Sequence, residues 1–477
     1  MRRGDRFEIG LPWKDSEVRL PNNRNEALRR FYALERRLSR GTSAFAELYS
    51  NAIEAYEKAG HARRVDQLEI DQDEMERRIW YLPHHGVTHP AKPGKVRIVF
   101  DASASFQGVS LNDVLLKGPD LTSNLATILL RFRIGPIAVS SDIEKMFLQV
   151  GVKSEDQKSL RFIWRRPGTD TFPSTYQMTV QVFGAVSSPT SCNFVLQQLA
   201  KENREHYGEV ADKVKSRFYV DNYLDSFDCI ESAEKGCRDV SSLLMKGGFR
   251  LTQWTASSTE LLARLKQGSS NTIHDFEVDP QATPKTLGLL WDRVTDQFFF
   301  RTNPETTSTK RGILSIITKI FDPLGFLSPI LLTAKIIQQD LWKAELGWDD
   351  IAPADILKRW NSWVNALPTV ERLRIPRCLK PLPCSDVQIH TFSDASQVGY
   401  CAGVYLRVVR LDGSVDVRLV MSKGRVAPIK MQTIPKLELE SCVVGLRLTK
   451  FVVESLGMAV SEVAFWTDST TALAWIN

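Results

Sequence analysis

The chain lacks the features that mark secreted or membrane proteins. No two of its seven cysteines form a C-x-x-C pair; Cys192, Cys229, Cys237, Cys378, Cys384, Cys401 and Cys442 are odd in number and widely spaced. This argues against a disulfide framework and predicts reduced thiols in an intracellular protein. The opening MRRGDRFEIGLPWKDSEVRL has no apolar core of the kind a signal peptide needs. No apolar run reaches the roughly 18 residues of a membrane span. The longest candidate, 326–337, contains Ser328, Pro329 and Lys335 and reads as the entry to a buried helix. A soluble chain without a membrane partner is expected. No D-T-G or D-S-G occurs, so an aspartic protease site of that pattern is absent. Short-period repeats and low-complexity tracts are missing too.

What is present is ordinary globular composition. At 43% hydrophobic and 25% charged, the 477 residues can build real cores, in about two to four domains. The net charge of +6 is compatible with a nucleic-acid partner without demonstrating one. Leu28, Phe31, Leu34 and Leu38 recur at helical spacing within 24–40, and a solvated face is the plainer reading of the arginines opposite them. More helix is expected over 44–78, broken at Gly60. His84, His85 and His89 have no Cys or His partners at ligand spacing, so 84–89 reads as a loop and not a zinc site. A strand follows through Val96, Ile98 and Phe100, then a helix around 124–132, a short strand at 137–139, antiparallel strands within 160–183 and a helix after Pro189. Strand alternation returns at 217–227 and 285–292. Helices begin near Lys310, and Pro381, Pro383 and Cys384 read as a linker to a last unit with a helix over 436–452.

Two acids stand out because each follows an apolar run that should be an interior strand: Asp142 and Asp221. Bare carboxylates a few ångströms apart repel by roughly 1–4 kcal/mol. A pair of Mg²⁺ ions reverses that sign, prefers oxygen donors and supports in-line displacement at phosphorus. Spacing alone does not bring the two acids together. Lys95 and Arg97 suit phosphate contacts but are also ordinary solvated charges; Phe147 suits a sugar-pocket wall or plain core; Gly184 suits close backbone approach or a simple turn.

The boxes IVFDAS, SSDIEKMF, FGAVSSPTSCN, FYVDN and TLGLLW follow the order of reverse-transcriptase palm and finger motifs. The flanking text LPNNRNEALRRFYALERRLSR, GVSLNDVLLKGPDL and IFDPLGFLSPILLTAKIIQQDLW resembles the polyprotein of BEL/Pao long-terminal-repeat retrotransposons over nearly the whole chain. The resemblance implies an α+β right-hand polymerase with palm, fingers and a helical thumb-like region, followed by a partial ribonuclease H-like α/β domain. The implied segments are 1–80 (helical), 81–300 (fingers and palm), 301–384 (thumb or connection) and 385–477 (ribonuclease H-like). It implies RNA-directed DNA polymerase activity with Mg²⁺, or Mn²⁺, on an RNA template, a DNA primer and dNTPs. The protease and integrase of a larger polyprotein are the implied partners. Asp142 and Asp221 become the principal metal ligands, Phe147 the gate against a ribose 2′-hydroxyl, Arg97 with Lys95 the triphosphate contacts, and Gly184 part of the loop under the template–nucleotide pair.

Two departures from the family pattern matter. Phe183 stands where many relatives carry Gln, and Asn222 where they carry a second hairpin aspartate. An amide offers a carbonyl oxygen but no charge, and Asn tolerates the positive φ of a tight turn. Asn222 is therefore expected to shape the turn, with metal affinity reduced but not abolished; the alternative is a decayed or host-adopted relic that binds nucleic acid without catalysis. In the last unit TFSDASQVGY, LELESCV and FWTDSTTALAW resemble ribonuclease H boxes. These imply Asp394, Glu438 and Asp468 as metal ligands, with Glu440 the alternative to Glu438. The family's fourth acid lies beyond Asn477, so this unit is expected to be incomplete and inactive as a nuclease.

Overall fold

The apolar stripe of 24–40 forms the helix its spacing predicts, Arg24–Arg40, and buries Ala27, Phe31, Leu34 and Leu38. The computed structural model describes residues 2–3, 6–73, 76–89, 92–267, 285–286, 288–303 and 305–476; Leu287, within the expected 285–292 strand, lies outside them. The chain divides into two units of interleaved stretches, 1–122, 143–215 and 239–251 in the first, 123–142, 216–238 and 252–477 in the second.

In the first unit, Arg24–Arg40 and the helix Ser43–Lys58 pack on two small antiparallel layers. One joins Ala62–Val65, Ser174–Met178 and Arg161–Trp164; the other pairs His84–His89 with Lys92–Phe100. Both correct the sequence expectation. Helix was expected through 44–78, but Ala62 and Val65 are buried while Arg63 and Arg64 stay exposed, and the four residues pair with Ser174–Met178. The stretch expected as a loop at 84–89 is a strand, because its backbone groups bond to Lys92–Phe100 and its first residue is drawn into the core. His84 is fully enclosed: Tyr49 Oη lies 2.5 Å from its Nδ1 and the Ile163 carbonyl 3.0 Å from its Nε2. Burial pushes its imidazole down to about 4, so it is a neutral core histidine with both nitrogens satisfied. Trp80, Phe100, Phe162 and Trp164 fill the same core.

Among the described residues, the second unit contains three sheets. The first has the order Phe218–Tyr219, Asn222–Phe227, Ile137–Ile143, Leu251–Ala256. Small strands at Lys285–Thr286, Leu289–Asp292, Gln297–Phe299 and Ile375–Pro376 form the second. The third joins Val415–Val426, Gly399–Arg410, Cys384–Ala395 and Glu462–Trp466, the last running parallel to Cys384–Ala395. The helix Ile434–Leu456 makes that parallel return possible and lays Leu437, Val444, Leu448, Val452 and Leu456 on the sheet. It sits close because residue 445 is glycine: a Cβ there would come 2.6 Å from Ser393 Oγ. The helices Lys310–Lys319, Ser328–Lys343 and Ala354–Ala366 share one core with Ile128, Leu130, Trp291 and Ile389.

A buried guanidinium ties these parts together. Arg133, just past the helix Leu125–Phe132, donates to the carbonyls of Val420 (2.7 Å), Leu419 (2.9 Å) and Arg377 (3.2 Å). Arg377, also buried, is held by Asp296 at 2.6 and 2.8 Å. A buried cation left unpaired is costly, and here hydrogen bonds to carbonyls on separate strands satisfy it. The stretch leading into Ile137–Ile143 is thereby fastened to the third sheet. Among the described residues no helix is long and apolar enough to cross a membrane.

Candidate functional site

Asp142 lies one residue from the end of Ile137–Ile143, and its cross-strand partner is Asn222. Tyr219 pairs with Asn222, leaving Val220 and Asp221 as the two-residue turn of the hairpin. Asp221 therefore sits at the same end of the sheet as Asp142, on the adjacent strand connection. The expectation that Asn222 takes the positive-φ position is corrected here. Asn222 opens the strand, and Val220 carries φ +57°. Hairpin twist demands a left-handed residue before Asp221, and the register fixes it at 220. A β-branched residue there is strained, by about 1–2 kcal/mol.

The amide has a different task. Asn222 Nδ2 donates to Asp221 Oδ1 at 2.8 Å, which holds that carboxylate in one rotamer, an interaction a second aspartate could not make when ionised. Asp142 is braced from the other side: Thr252 Oγ1 lies 3.4 Å from its carbonyl, and Ser141 Oγ donates to the Thr252 carbonyl at 2.7 Å. The hairpin's other acid, Asp225, is fully buried and neutralised by Arg217 at 2.9 Å. Asp142, Asp221 and Asn222 are half-buried, and together they offer two carboxylates and one amide oxygen, hard donors of the kind Mg²⁺ prefers.

In the first unit the structure gathers most of the nucleotide-side candidates. The rings of Phe147 and Phe183 are 4.6 Å apart, and the Arg97 guanidinium lies 5.0 Å from the centre of Phe183. Phe183 thus supplies a face on which Arg97 stacks, with its polar end left to face solvent. Lys95 shares the Lys92–Phe100 strand and, two residues from Arg97, the same side of it; both are exposed. Gly184 has φ +114°, and a Cβ on it would fall 1.8 Å from the Phe100 carbonyl oxygen, so only glycine fits. Asn112 anchors this loop, donating to the Gly184 carbonyl at 3.0 Å and accepting from the Val186 N–H at 2.8 Å.

The third sheet carries the other acids. Asp394 is on Cys384–Ala395, Glu438 in the first turns of Ile434–Leu456, and Asp468 just past Glu462–Trp466. One oxygen from each lies within 4.8 Å of the others. Glu440, the alternative, is not in this cluster. Asp394 and Asp468 are exposed, whereas Glu438 is buried and its Oε2 has no hydrogen-bond partner. Burial raises its carboxyl; a hydrogen bond from the Ala395 N–H opposes this, and the charges of Asp394 and Asp468 raise it further. An orphaned buried oxygen aimed at two more carboxylates fits a divalent cation.

Residues 309–469 match the family model described as the Pao retrotransposon-like RNaseH-like domain. That span includes both the helices from Lys310 and the acidic sheet. No curated protein matches the sequence. A solved foamy viral protease–reverse transcriptase dRH, in complex with double-stranded DNA, superposes with a TM-score of 0.53 at 15% identity, over 88% of this chain and 62% of that one. A foamy viral protease–reverse transcriptase in complex with an RNA/DNA hybrid gives a TM-score of 0.48 at 15% identity, over 85% of this chain and 48% of that one. The chain thus spans less than two thirds of these viral proteins. Its fold is similar to that of the first of these reverse transcriptases, and residues 309–469 are similar to the Pao retrotransposon-like RNaseH-like domain.

Several functional-looking features were not read from the sequence. Val220 looked like one more apolar strand residue. Gln253, exposed with φ +55° inside Leu251–Ala256, is a strained position on the strand next to that of Asp142. Cys401 was only counted among the thiols, yet its cross-strand partner is Asp394. The hairpin register that reveals these placements leaves no local signature.

Proposed function

We propose that the chain is the RNA-directed DNA polymerase of a Pao-like retrotransposon polyprotein, which extends a DNA primer on an RNA template from dNTPs. The observation that carries this reading is the pairing of Asp142 with Asn222 across adjacent strands, next to Asp221 held by its amide neighbour. The nucleic-acid complexes of the foamy viral proteins, whose fold it resembles, support the choice of partners. Two Mg²⁺ ions at Asp142 and Asp221 would activate the primer 3′-hydroxyl and stabilise the leaving pyrophosphate. The residues themselves supply position. Thr252 and Ser141 fix the strand under Asp142, and Asn222 fixes the rotamer of Asp221. For the first unit we assign Arg97 and Lys95 to phosphate contacts, Phe147 to discrimination against a 2′-hydroxyl, and Gly184 to close backbone approach. Asp394, Glu438 and Asp468 are proposed as a separate divalent-ion site.

Primer extension on a homopolymer RNA template with Mg²⁺ or Mn²⁺ tests the proposal. DNA synthesis by the folded chain is expected. Tight hybrid binding with no synthesis would replace it with the other reading, a non-enzymatic nucleic-acid binder, which the missing charge at Asn222 favours.

A further inference from the structure

The loop that carries Phe183 and Gly184 is held from outside by one side chain. Asn112 lies in the short helix Leu111–Val114, whose start is fixed by a capping box between Ser110 and Asp113 and whose Leu111 is fully buried. Both amide hydrogens and the carbonyl oxygen of Asn112 are engaged. Nδ2 donates to the Gly184 carbonyl at 3.0 Å and to Ser103 Oγ at 2.9 Å, and Oδ1 accepts from the Val186 N–H at 2.8 Å. Its backbone N–H donates to the Ala102 carbonyl at 2.9 Å. One residue thus joins the chain just past strand Lys92–Phe100 to both sides of Ala185. The two peptides that flank Gly184 have different holders. The Phe183 carbonyl accepts from the Phe100 N–H at 3.0 Å, and the Gly184 carbonyl accepts from Asn112. Gly184, at φ +114°, is the residue with the most rotational freedom in this loop, and Asn112 removes that freedom. The Phe183 ring beside it lies 4.6 Å from the Phe147 ring and 5.0 Å from the Arg97 guanidinium.

We propose that Asn112 is a positioning residue for sugar selection: by holding the Gly184 loop it keeps the Phe183 ring against Phe147, and so keeps Phe147 where a ribose 2′-hydroxyl would collide with it. The inference rests on the reading of Phe147 as the gate. Selection of this kind depends on what the site rejects. A ring free to retreat by about an ångström admits one more oxygen and still accepts a deoxyribose, so selection suffers before synthesis does. The amide is the group the place requires. An aspartate would keep the acceptor for Val186 but lose both donors and set a charge against the Gly184 carbonyl. The plainer role, a loop anchor that serves stability alone, predicts equal losses with both sugars.

The test is primer extension by the full chain with dNTPs and with rNTPs, each read as kcat/KM. The ratio of the two does not depend on how much of a variant is folded. Asn112→Ala should lower the preference for dNTPs on the order of tenfold. Phe147→Ala should lower it further, and in the double variant the two effects should not add, because both act on one contact. Ser103→Ala removes one of the three hydrogen bonds of the Asn112 amide. It should move the ratio in the same direction by a smaller factor, and it covers the case in which Asn112→Ala does not fold. An unchanged ratio in every variant of these two positions that folds, or full additivity with Phe147→Ala, overturns the proposal. Failure of the underlying reading looks different. If wild type makes no DNA, or Phe147→Ala keeps the wild-type ratio, the gate is not at 147 and the inference falls with it.

Discussion

At the Val220–Asp221 turn, one carboxylate accepts a hydrogen bond from the amide beside it; on the third sheet, Glu438 is buried against two more carboxylates with an oxygen left bare. Both are acidic strand-end sites in the same unit, and they handle repulsion differently. Like charges at such range cost roughly 1–4 kcal/mol in the absence of a counter-ion. The hairpin lowers that cost by carrying the neutral Asn222 beside Asp221 and by pairing Asp225 with Arg217. The third sheet retains all three acids, and Glu438 absorbs the cost as a raised carboxyl. The first arrangement is stable empty and fixed in geometry. The second gains most when an ion arrives.

The strongest way to break this comparison is Asp142→Asn. If the hairpin site alone carries synthesis, the variant should lose primer extension by on the order of 10²–10³, the rate equivalent of several kcal/mol of charge stabilisation. Mn²⁺ binding at the third sheet should not change. Retained synthesis would place the chemistry elsewhere.

Glu438→Gln probes the other side. Removing the buried charge should weaken Mn²⁺ binding there by about tenfold or more while stabilising the ion-free protein. The sign follows from the raised carboxyl. A group whose folded value exceeds its unfolded value contributes stability below the unfolded value, and that contribution is lost as pH rises through the folded one. In chelator, wild type should therefore fall behind Glu438→Gln in thermal midpoint as pH goes from acid to neutral, and Mg²⁺ should close the gap. Parallel melting curves at every pH would mean that Glu438 feels no net repulsion.

The contrast between these sites was only partly legible in the sequence. Apolar runs that stop at an acid are visible locally and gave Asp142 and Asp221; Asp394, Glu438 and Asp468 came from the resemblance of their boxes to ribonuclease H. Helices such as Arg24–Arg40 were equally plain from their period. What escaped depends on partners distant in the chain. Ala62–Val65 is a strand because Ser174–Met178 is there to pair with it, and His84 is core because Tyr49 and Ile163 satisfy it. The preference for Glu438 over Glu440 came from the resemblance, and the cluster with Asp394 and Asp468 contains Glu438. The backbone strain was misassigned to Asn222 because residue preference says where a left-handed residue is comfortable, whereas hairpin register says where it must be.

Asn222→Asp sharpens the comparison by making the hairpin more like the third sheet. It should improve the apparent Mg²⁺ affinity for primer extension by a few-fold and, without ions, cost about 1 kcal/mol of stability through the lost hydrogen bond and the added repulsion. Titrating Mg²⁺ in the extension assay and measuring the urea midpoint in chelator read the two effects separately. If neither moves, the amide does not tune charge at the turn.

The smallest expected effect belongs to Val220→Gly. Relief of the left-handed conformation returns about 1–2 kcal/mol, and glycine's extra freedom in the unfolded chain removes about 0.5–1 of it, so the urea midpoint should rise by the equivalent of about 0.5 kcal/mol. Synthesis should nonetheless fall a few-fold, because the strained valine is what fixes the backbone leading into Asp221, and a glycine lets that carboxylate swing on its hydrogen bond from Asn222. Stability and activity moving in opposite directions would identify the turn as a place where strain is kept for position. A variant that is both more stable and fully active would show that Asn222 alone holds Asp221, and that the valine at 220 is there for the hairpin only.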